Sequence, residues 1–264
     1  MTFATNNSPF VGKEGKFLTA RQIEDRLNKE LQRDVSLRVE QLDGESFLVS
    51  GRGELHLSIL IENMRRQGYE MQVSKPEVIV KEIDGVLCEP YEDLQLEVPE
   101  ENVGSVIEAL GTRGAEMIQM TNHQNQVRLN YSIPSRGLIG FMTDYMTMTK
   151  GYGIINHTFN SYKPMADAVV GERKLGVLVS MENGKASAYG LGQLEDRGVM
   201  FIEPGCEVYE GMIVGENNRE NDLAVNVVKQ KQQTNTRSAG KDHTVVLKRP
   251  RKLSLEVCLD YINS

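Results

Sequence analysis

Two stretches of this sequence run through the same series of patterns, and that repetition constrains the fold more than any other feature. In TARQIEDRLNKEL (19–31), Ile23, Leu27 and Leu31 fall at i, i+4 and i+8, which predicts a helix with Thr19 as its cap. VSLRVEQ (35–41) alternates Val35, Leu37 and Val39 as a strand does, and Asp43-Gly44 predicts a hairpin turn into SFLVS (46–50). A second helix is predicted over 53–67 from Leu57, Leu60, Ile61 and Met64, with Gly68 stopping it, and YEMQVS and EVIVKEI read as extended around Pro76. The series restarts after Asp84-Gly85. YEDLQLEV (91–98) alternates at Leu94, Leu96 and Val98, and a helix follows with Val103, Val106, Ile107 and Leu110 on one face. EMIQM and QVRLNYSIP are the next strands, a helix from about 137 to 149 would carry Leu138, Met142 and Tyr145, and YGIINHTFNSYKP closes as a strand.

The punctuation repeats as well. Ser50-Gly51-Arg52-Gly53 opens one helix and Ser135-Arg136-Gly137 another; Gly68-Tyr69 and then Lys75-Pro76 in the first half answer to Gly151-Tyr152 and then Lys163-Pro164 in the second. Arg52 and Arg136 stand 84 residues apart, too far for a solenoid unit and right for a domain. The pattern predicts an α+β chain with two ferredoxin-like βαββαβ domains, residues 1–84 and 85–165, in which TFATN (2–6) is the only candidate for the first strand. After residue 165 the sequence turns to short extended runs broken by glycines, with helical periodicity only in LSLEVCLDYI, and residues 166–264 are expected to form a β-rich, barrel-like domain behind a linker at Met165–Lys174.

Several functions are argued against. At 264 residues, 39% apolar and 25% charged, the chain fits two or three globular domains. It has no run of 18 apolar residues and no signal-type apolar core in MTFATNNSPFVGKEGKF, which with Cys88, Cys206 and Cys258 far apart predicts a cytoplasmic protein without disulfides or a zinc site. None of the four Gly-Lys pairs is followed by Ser or Thr, so there is no phosphate-binding loop, and no G-x-S-x-G elbow occurs. His56, His123, His157 and His243 lack metal-ligand spacing and read as structural or solvated. No nucleophile stands with a base, so no catalytic, cofactor or metal residue is expected in this chain.

Charge is where function shows. Lys+Arg number 30 against 37 Asp+Glu, a formal net charge of -7. Yet Lys229–Lys252 holds Lys229, Lys231, Arg237, Lys241, Lys248, Arg249, Arg251 and Lys252 against Asp242 alone, a local +7 that leaves -14 for the remaining residues. Such a patch acts locally, because charges beyond a Debye length of about 8 Å are screened. Gln230–Gly240 has almost no apolar residue and is expected to be a mobile loop. Its Gln, Asn, Thr and Arg side chains suit phosphates and 2′-hydroxyls, and the absence of interleaved aromatics argues for backbone rather than base recognition. Two readings stand: an anionic partner, or a solvated hairpin. Arg52 and Arg136 are further candidates, because an arginine at a helix N-terminus opposes the helix dipole unless an anion or a carboxylate offsets it. Glu54 could serve Arg52, whereas no carboxylate follows Arg136 until Asp144. The alternative is that the glycines serve tight turns and the arginines are only exposed. Met117, Met120, Met142, Met146 and Met148 read as packed core.

Longer motifs then carry a resemblance. SGRGELHLSIL (50–60) resembles the G-x-G-E-L-H-L signature in the third domain of elongation factor G-class translational GTPases, and PYEDLQLEVPEENVGSVIEALGTRGAEM (90–117) with PSRGLIGF (134–141) resembles their fifth. NSPFVGKEGKFLTARQIEDRLNKEL (7–31) and the glycine-rich third section are most similar to the BipA/TypA family within that class, and the resemblance covers nearly the whole chain. It implies the C-terminal half of such a GTPase, with the GTP- and Mg-binding domain upstream and a basic tail beyond Ser264 not present. The implied partners are the bacterial ribosome at its factor-binding site and aminoacyl-site tRNA, with the region of about 224–241 contacting the acceptor arm. The implied setting is growth in the cold and under stress, with the protein a monomer. A regulatory small-molecule-binding protein made of paired ferredoxin-like domains is the alternative from a different class; a purely structural arm is a third.

Overall fold

Thr19 opens the first helix as its position predicts: its hydroxyl accepts the Gln22 amide, and the Gln22 side chain accepts the Thr19 amide at 3.1 Å. The computed structural model describes residues 1–42, 44–123, 125–166, 175–230 and 247–262. They divide into two compact units, Met1–Glu172 with Leu255–Ser264, and Arg173–Ser254.

The first unit begins with β1 (Thr2–Thr5), α1 (Ala20–Leu31), β2 (Arg38–Gln41), β3 (Ser46–Ser50), α2 (Glu54–Arg66) and β4 (Met71–Val73). The strands lie in the order β2-β3-β1-β4, each antiparallel to its neighbours. TFATN therefore supplies a central strand. Phe3 pairs with Phe47 and Val73 and is fully buried with Ile23, Leu27, Val49 and Met64; each such side chain contributes about 1.5–3 kcal/mol by leaving water. The alternation over 35–41 holds only in part. Asp34 accepts the Ser36 amide and hydroxyl, which bends the chain, so Val35 is wholly exposed and the strand begins at Arg38.

The second section of this unit runs β5 (Lys81–Ile83), β6 (Val86–Pro99), α3 (Val103–Gly111), β7 (Glu116–His123), β8 (Gln126–Pro134), α4 (Ser135–Leu138), α5 (Phe141–Met148) and β9 (Ile154–Pro164). β6 lies between β8 and β9, and β7 borders β8, all antiparallel. The β5–β6 hairpin turns on Asp84 (φ 51°) and Gly85 (φ 79°), the paired left-handed residues of a tight hairpin. The single helix predicted over 137–149 is two helices. Ile139 leaves the helical region (ψ 123°) and Gly140 is left-handed (φ 70°), which rotates the second helix so that Phe141 and Tyr145, not Met142, enter the core. That rotation corrects the methionine reading. Met142 and Met146, each one residue past the buried stripe, are exposed, as are Met117 and Met120 on edge strand β7; Met148 packs against the core.

The second unit contains β10 (Val177–Ser180), β11 (Gly184–Lys185), α6 (Ala188–Gly192), β12 (Gly198–Met200), β13 (Glu207–Val208), β14 (Ile213–Asn217) and β15 (Leu223–Val225). Four strands form a sheet in the order β12-β14-β10-β15, and β11 pairs with β13 alone. Among the described residues this is an open sheet and a separate ribbon, not a closed barrel. The glycines suit so small a fold: a Cβ on Gly198 would lie 1.8 Å from the Glu216 carbonyl oxygen of the neighbouring strand. Leu178, Leu191, Val214 and Val227 form its core. The last helix, α7 (Leu255–Tyr261), which the sequence groups with this section, belongs to the first unit. Its Leu259 is buried in the core of Phe3, Leu27 and Met64.

Candidate nucleic-acid interface

The basic segment is held at both ends by the frame around α6. Ser187 caps that helix by accepting the Gly190 amide at 2.8 Å, and its hydroxyl donates to the Lys229 carbonyl. The Lys229 amide donates to Asn226 Oδ1 at 2.9 Å, and its side chain is exposed. Lys231, Arg237 and Lys241, with most of the expected loop at Gln230–Gly240 and of the linker at Met165–Lys174, lie outside the described residues. The chain is described again at Leu247, which packs against the core of this unit. The Lys248 amide donates to the Glu195 carboxylate. The Arg251 amide then donates to the Met200 carbonyl at 2.9 Å, at the end of edge strand β12.

The four cations of Lys248–Lys252 are not equivalent. Lys248, Arg249 and Lys252 are exposed, and among the described residues no carboxylate forms an ion pair with them. The Arg251 guanidinium instead forks onto Glu216, with its two terminal nitrogens 3.3 and 3.2 Å from Oε2 and Oε1, and lies over the Phe201 ring at 5.9 Å from its centroid. Three cations without a carboxylate partner among the described residues, on an anchored backbone, can donate to phosphate oxygens along a strand.

Arg52 and Arg136 occupy different surroundings. Arg52 is exposed; its amide donates to His56 Nδ1 at 3.1 Å, and His56 Nε2 lies 2.6 Å from Asp34 Oδ2. The ring therefore carries its proton on Nε2 and ties the strand-to-helix turn to the loop before β2. Hydrogen bonds from Ser36, with a further one from His56, pull the Asp34 carboxyl down to about 2. Arg136 has the carboxylate that sequence spacing did not supply. Its Nε is 2.6 Å and its terminal nitrogen 3.1 Å from the oxygens of Glu89, which is fully buried, and it also donates to the Ala166 carbonyl at 2.8 Å. Asp144, the first carboxylate along the sequence, pairs with Arg113. Arg136 is thus a strut between α4, β6 and the end of β9. Spacing could not reveal Glu89, Glu195 or Glu216, because their partners lie 47, 53 and 35 residues away.

On β9, His157 has Nδ1 2.5 Å from Glu92 Oε2. The hydrogen bond to Glu92 raises the His157 imidazole, against the lowering effect of burial. Among the described residues no cluster of three His, Cys, Asp or Glu side chains could hold a metal ion, and no helix is long and apolar enough to cross a membrane.

Comparison with known proteins adds a family context. Residues 175–264 match the TypA/BipA C-terminal domain, and residues 86–173 match the elongation factor G C-terminus. The large ribosomal subunit assembly factor BipA of Bacillus subtilis is 64% identical over 265 residues, spanning 100% of this chain and 43% of that protein. Proteins of the same name from Synechocystis sp. and Salmonella typhimurium are 54% and 53% identical, spanning 99% and 100% of this chain and 44% of each relative. The chain thus spans less than half the length of these curated relatives.

Proposed function

Because the chain belongs to the BipA/TypA family of elongation factor G-class translational GTPases and corresponds to the C-terminal part of its members, we propose that it is a ribosome- and tRNA-binding portion of such a factor. It contributes RNA contacts rather than catalysis. GTP and Mg would be held by the part of the family protein that lies outside this chain, whose own Gly-Lys pairs lack the following Ser or Thr. The two sections of the first unit act as ferredoxin-like scaffolds, a reading supported by strand orders β2-β3-β1-β4 and, with the β5 hairpin arm set aside, β9-β6-β8-β7, in which β1 and β3 and then β6 and β8 lie side by side at the centre. The protein works as a cytoplasmic monomer in ribosome assembly or translation, and the family resemblance points to growth in the cold and under stress.

The observation that carries the proposal is the exposure of Lys248, Arg249 and Lys252, without carboxylate partners among the described residues, on a backbone fixed by Glu195 and Met200 in a chain of net charge -7. Lys229 stands at the other end of the segment, and Lys231, Arg237 and Lys241 would extend the surface between them. If about five phosphates are neutralised, log K for ribosomes falls with log salt at a slope near about -4. Cosedimentation of the chain with ribosomes across a salt series tests this. Lys248→Glu with Arg249→Glu is expected to lower the slope by about two. A flat salt response, or unchanged cosedimentation of that variant, refutes the proposal.

A further inference from the structure

Arg251 is one of eight cations by sequence, yet its surroundings differ from those of its neighbours. Its amide extends the edge of the sheet at Met200. Its side chain crosses β12 to reach Glu216 on β14, the residue paired with Val199 across the two strands, and lies over Phe201. Pro250 precedes it; proline fixes its own φ, lacks an amide that would need a partner, and disfavours helical backbone at Arg249. Lys248 is fixed three residues earlier by Glu195. Two anchors and one proline therefore define the path of five residues, and only the Arg251 anchor uses a side chain of the segment itself.

The geometry points to Arg251 as a positioning residue: forked onto Glu216 and laid over Phe201, it straps the Lys248–Lys252 backbone to the sheet edge so that Lys248, Arg249 and Lys252 meet an RNA phosphate backbone at fixed spacing. This rests on the RNA-binding reading above and refines it. Arg251 acts through the other cations and does not touch phosphate. Its contribution is to remove the ordering cost that a loose basic segment would incur on binding. Lysine would not replace it, because the fork onto a carboxylate and the stack on a ring both use the planar guanidinium.

The test separates position from charge by sign. Glu216→Gln removes a carboxylate, so charge alone makes the surface more cationic and RNA binding tighter. Loss of the strap makes binding weaker. Affinity for an A-form RNA hairpin, measured with the full chain at fixed salt alongside its melting temperature, is expected to fall about three- to tenfold in Glu216→Gln. Arg251→Lys, which keeps the charge, is expected to show a similar fall. The exchanged pair Glu216→Arg with Arg251→Glu, of unchanged net charge, is expected to regain part of the loss. Tighter or unchanged binding by a folded Glu216→Gln, or wild-type affinity in Arg251→Lys, overturns the assignment. Should Glu216→Gln not fold, Arg251→Lys alone decides. Failure of the underlying reading looks different: Lys248→Glu with Arg249→Glu would then bind the hairpin like wild type.

Discussion

Arg136→Met should destabilise the first unit by about 3 kcal/mol, and the figure follows from what Glu89 is left with. The Glu89 carboxylate is fully buried and accepts from Arg136 at 2.6 and 3.1 Å and from the Ala166 amide at 3.2 Å. Methionine keeps the length of the side chain and removes both charged hydrogen bonds, leaving a buried carboxylate with one neutral donor. Breaking such a pair from one side costs about 3–5 kcal/mol. The Arg136 side chain is 16% exposed, so water already solvates part of the cation and the low end applies. For a unit of this size each kcal/mol moves the melting temperature by about 2–4 °C, which gives a fall of about 6–12 °C. Glu89→Leu combined with Arg136→Met removes both charges and should recover most of that loss, since apolar replacement of a buried pair is often close to neutral. Thermal and urea unfolding of the four proteins of this cycle at neutral pH measures the coupling directly. The reasoning is refuted if Arg136→Met melts like wild type while its affinity for ribosomes and its salt slope drop. Arg136 would then be the phosphate contact that its place at a helix start first suggested.

Leu259→Ala should cost about 2–4 kcal/mol and lower amide protection in α1 and α2 rather than in the second unit, because its side chain completes the core around Leu27 and Met64; hydrogen exchange resolved by segment checks this. Glu70 accepts from Asn6 and from the amides of Gly12, Glu14 and Gly15, so Glu70→Gln should accelerate exchange and proteolysis within residues 6–16. Burial raises the Glu70 carboxyl, and those hydrogen bonds outweigh it to hold the group below 4.5; the stabilisation is therefore present above that pH and is lost as pH falls through the depressed value. The His157–Glu92 pair has the opposite sign on the imidazole side. Its contribution is full below 6.5 and is lost as pH rises through the raised histidine value, while the depressed Glu92 stays ionised down through 4.5. His157→Gln should lower the melting temperature at pH below 6.5 and remove the fall seen in the wild type as pH rises from 6.5 through the raised histidine value, which a pH series of thermal melts measures.

Local features were legible in the sequence where a local rule governs them. Thr19 as the cap of α1 and Gly68 as the stop of α2 each depend on residues within a few positions, and each forms as its residue type predicts, whereas the hairpin turn expected at Asp43-Gly44 falls partly outside the described residues. Stripes of buried residues were legible where the helix is regular, as for Ile23 and Leu27. They failed where one backbone torsion intervened: Gly140 turned the Leu138, Met142, Tyr145 face into two unrelated ones and placed Met142 and Met146 in solvent. The position of α7 was illegible for another reason. Its Leu259 satisfies helical periodicity equally well against either unit, and only the tertiary fold decides between them.

The candidate surface was legible as a charge sum but not as a ranking of residues, and the difference has a physical origin. Coulomb interactions at the surface are weak in water and are decided within a few ångströms, so a local +7 says that anions collect near the segment without saying which groups they meet. Partners settle that. Glu195 spends its carboxylate on a backbone amide and Glu216 spends its own on Arg251, so two acidic residues beside the strip fix its path without neutralising Lys248, Arg249 or Lys252. An acidic frame is therefore compatible with a cationic working face, provided its carboxylates point at the backbone and the strap rather than at the exposed cations. The same argument gives Glu195 a role opposite to the one its charge suggests. Glu195→Gln keeps an acceptor for the Lys248 amide, whereas Glu195→Lys adds a cation and removes that acceptor. If anchoring matters more than summed charge, the lysine variant binds RNA more weakly than the glutamine variant in side-by-side titrations at one salt concentration; the reverse order would return the explanation to charge counting.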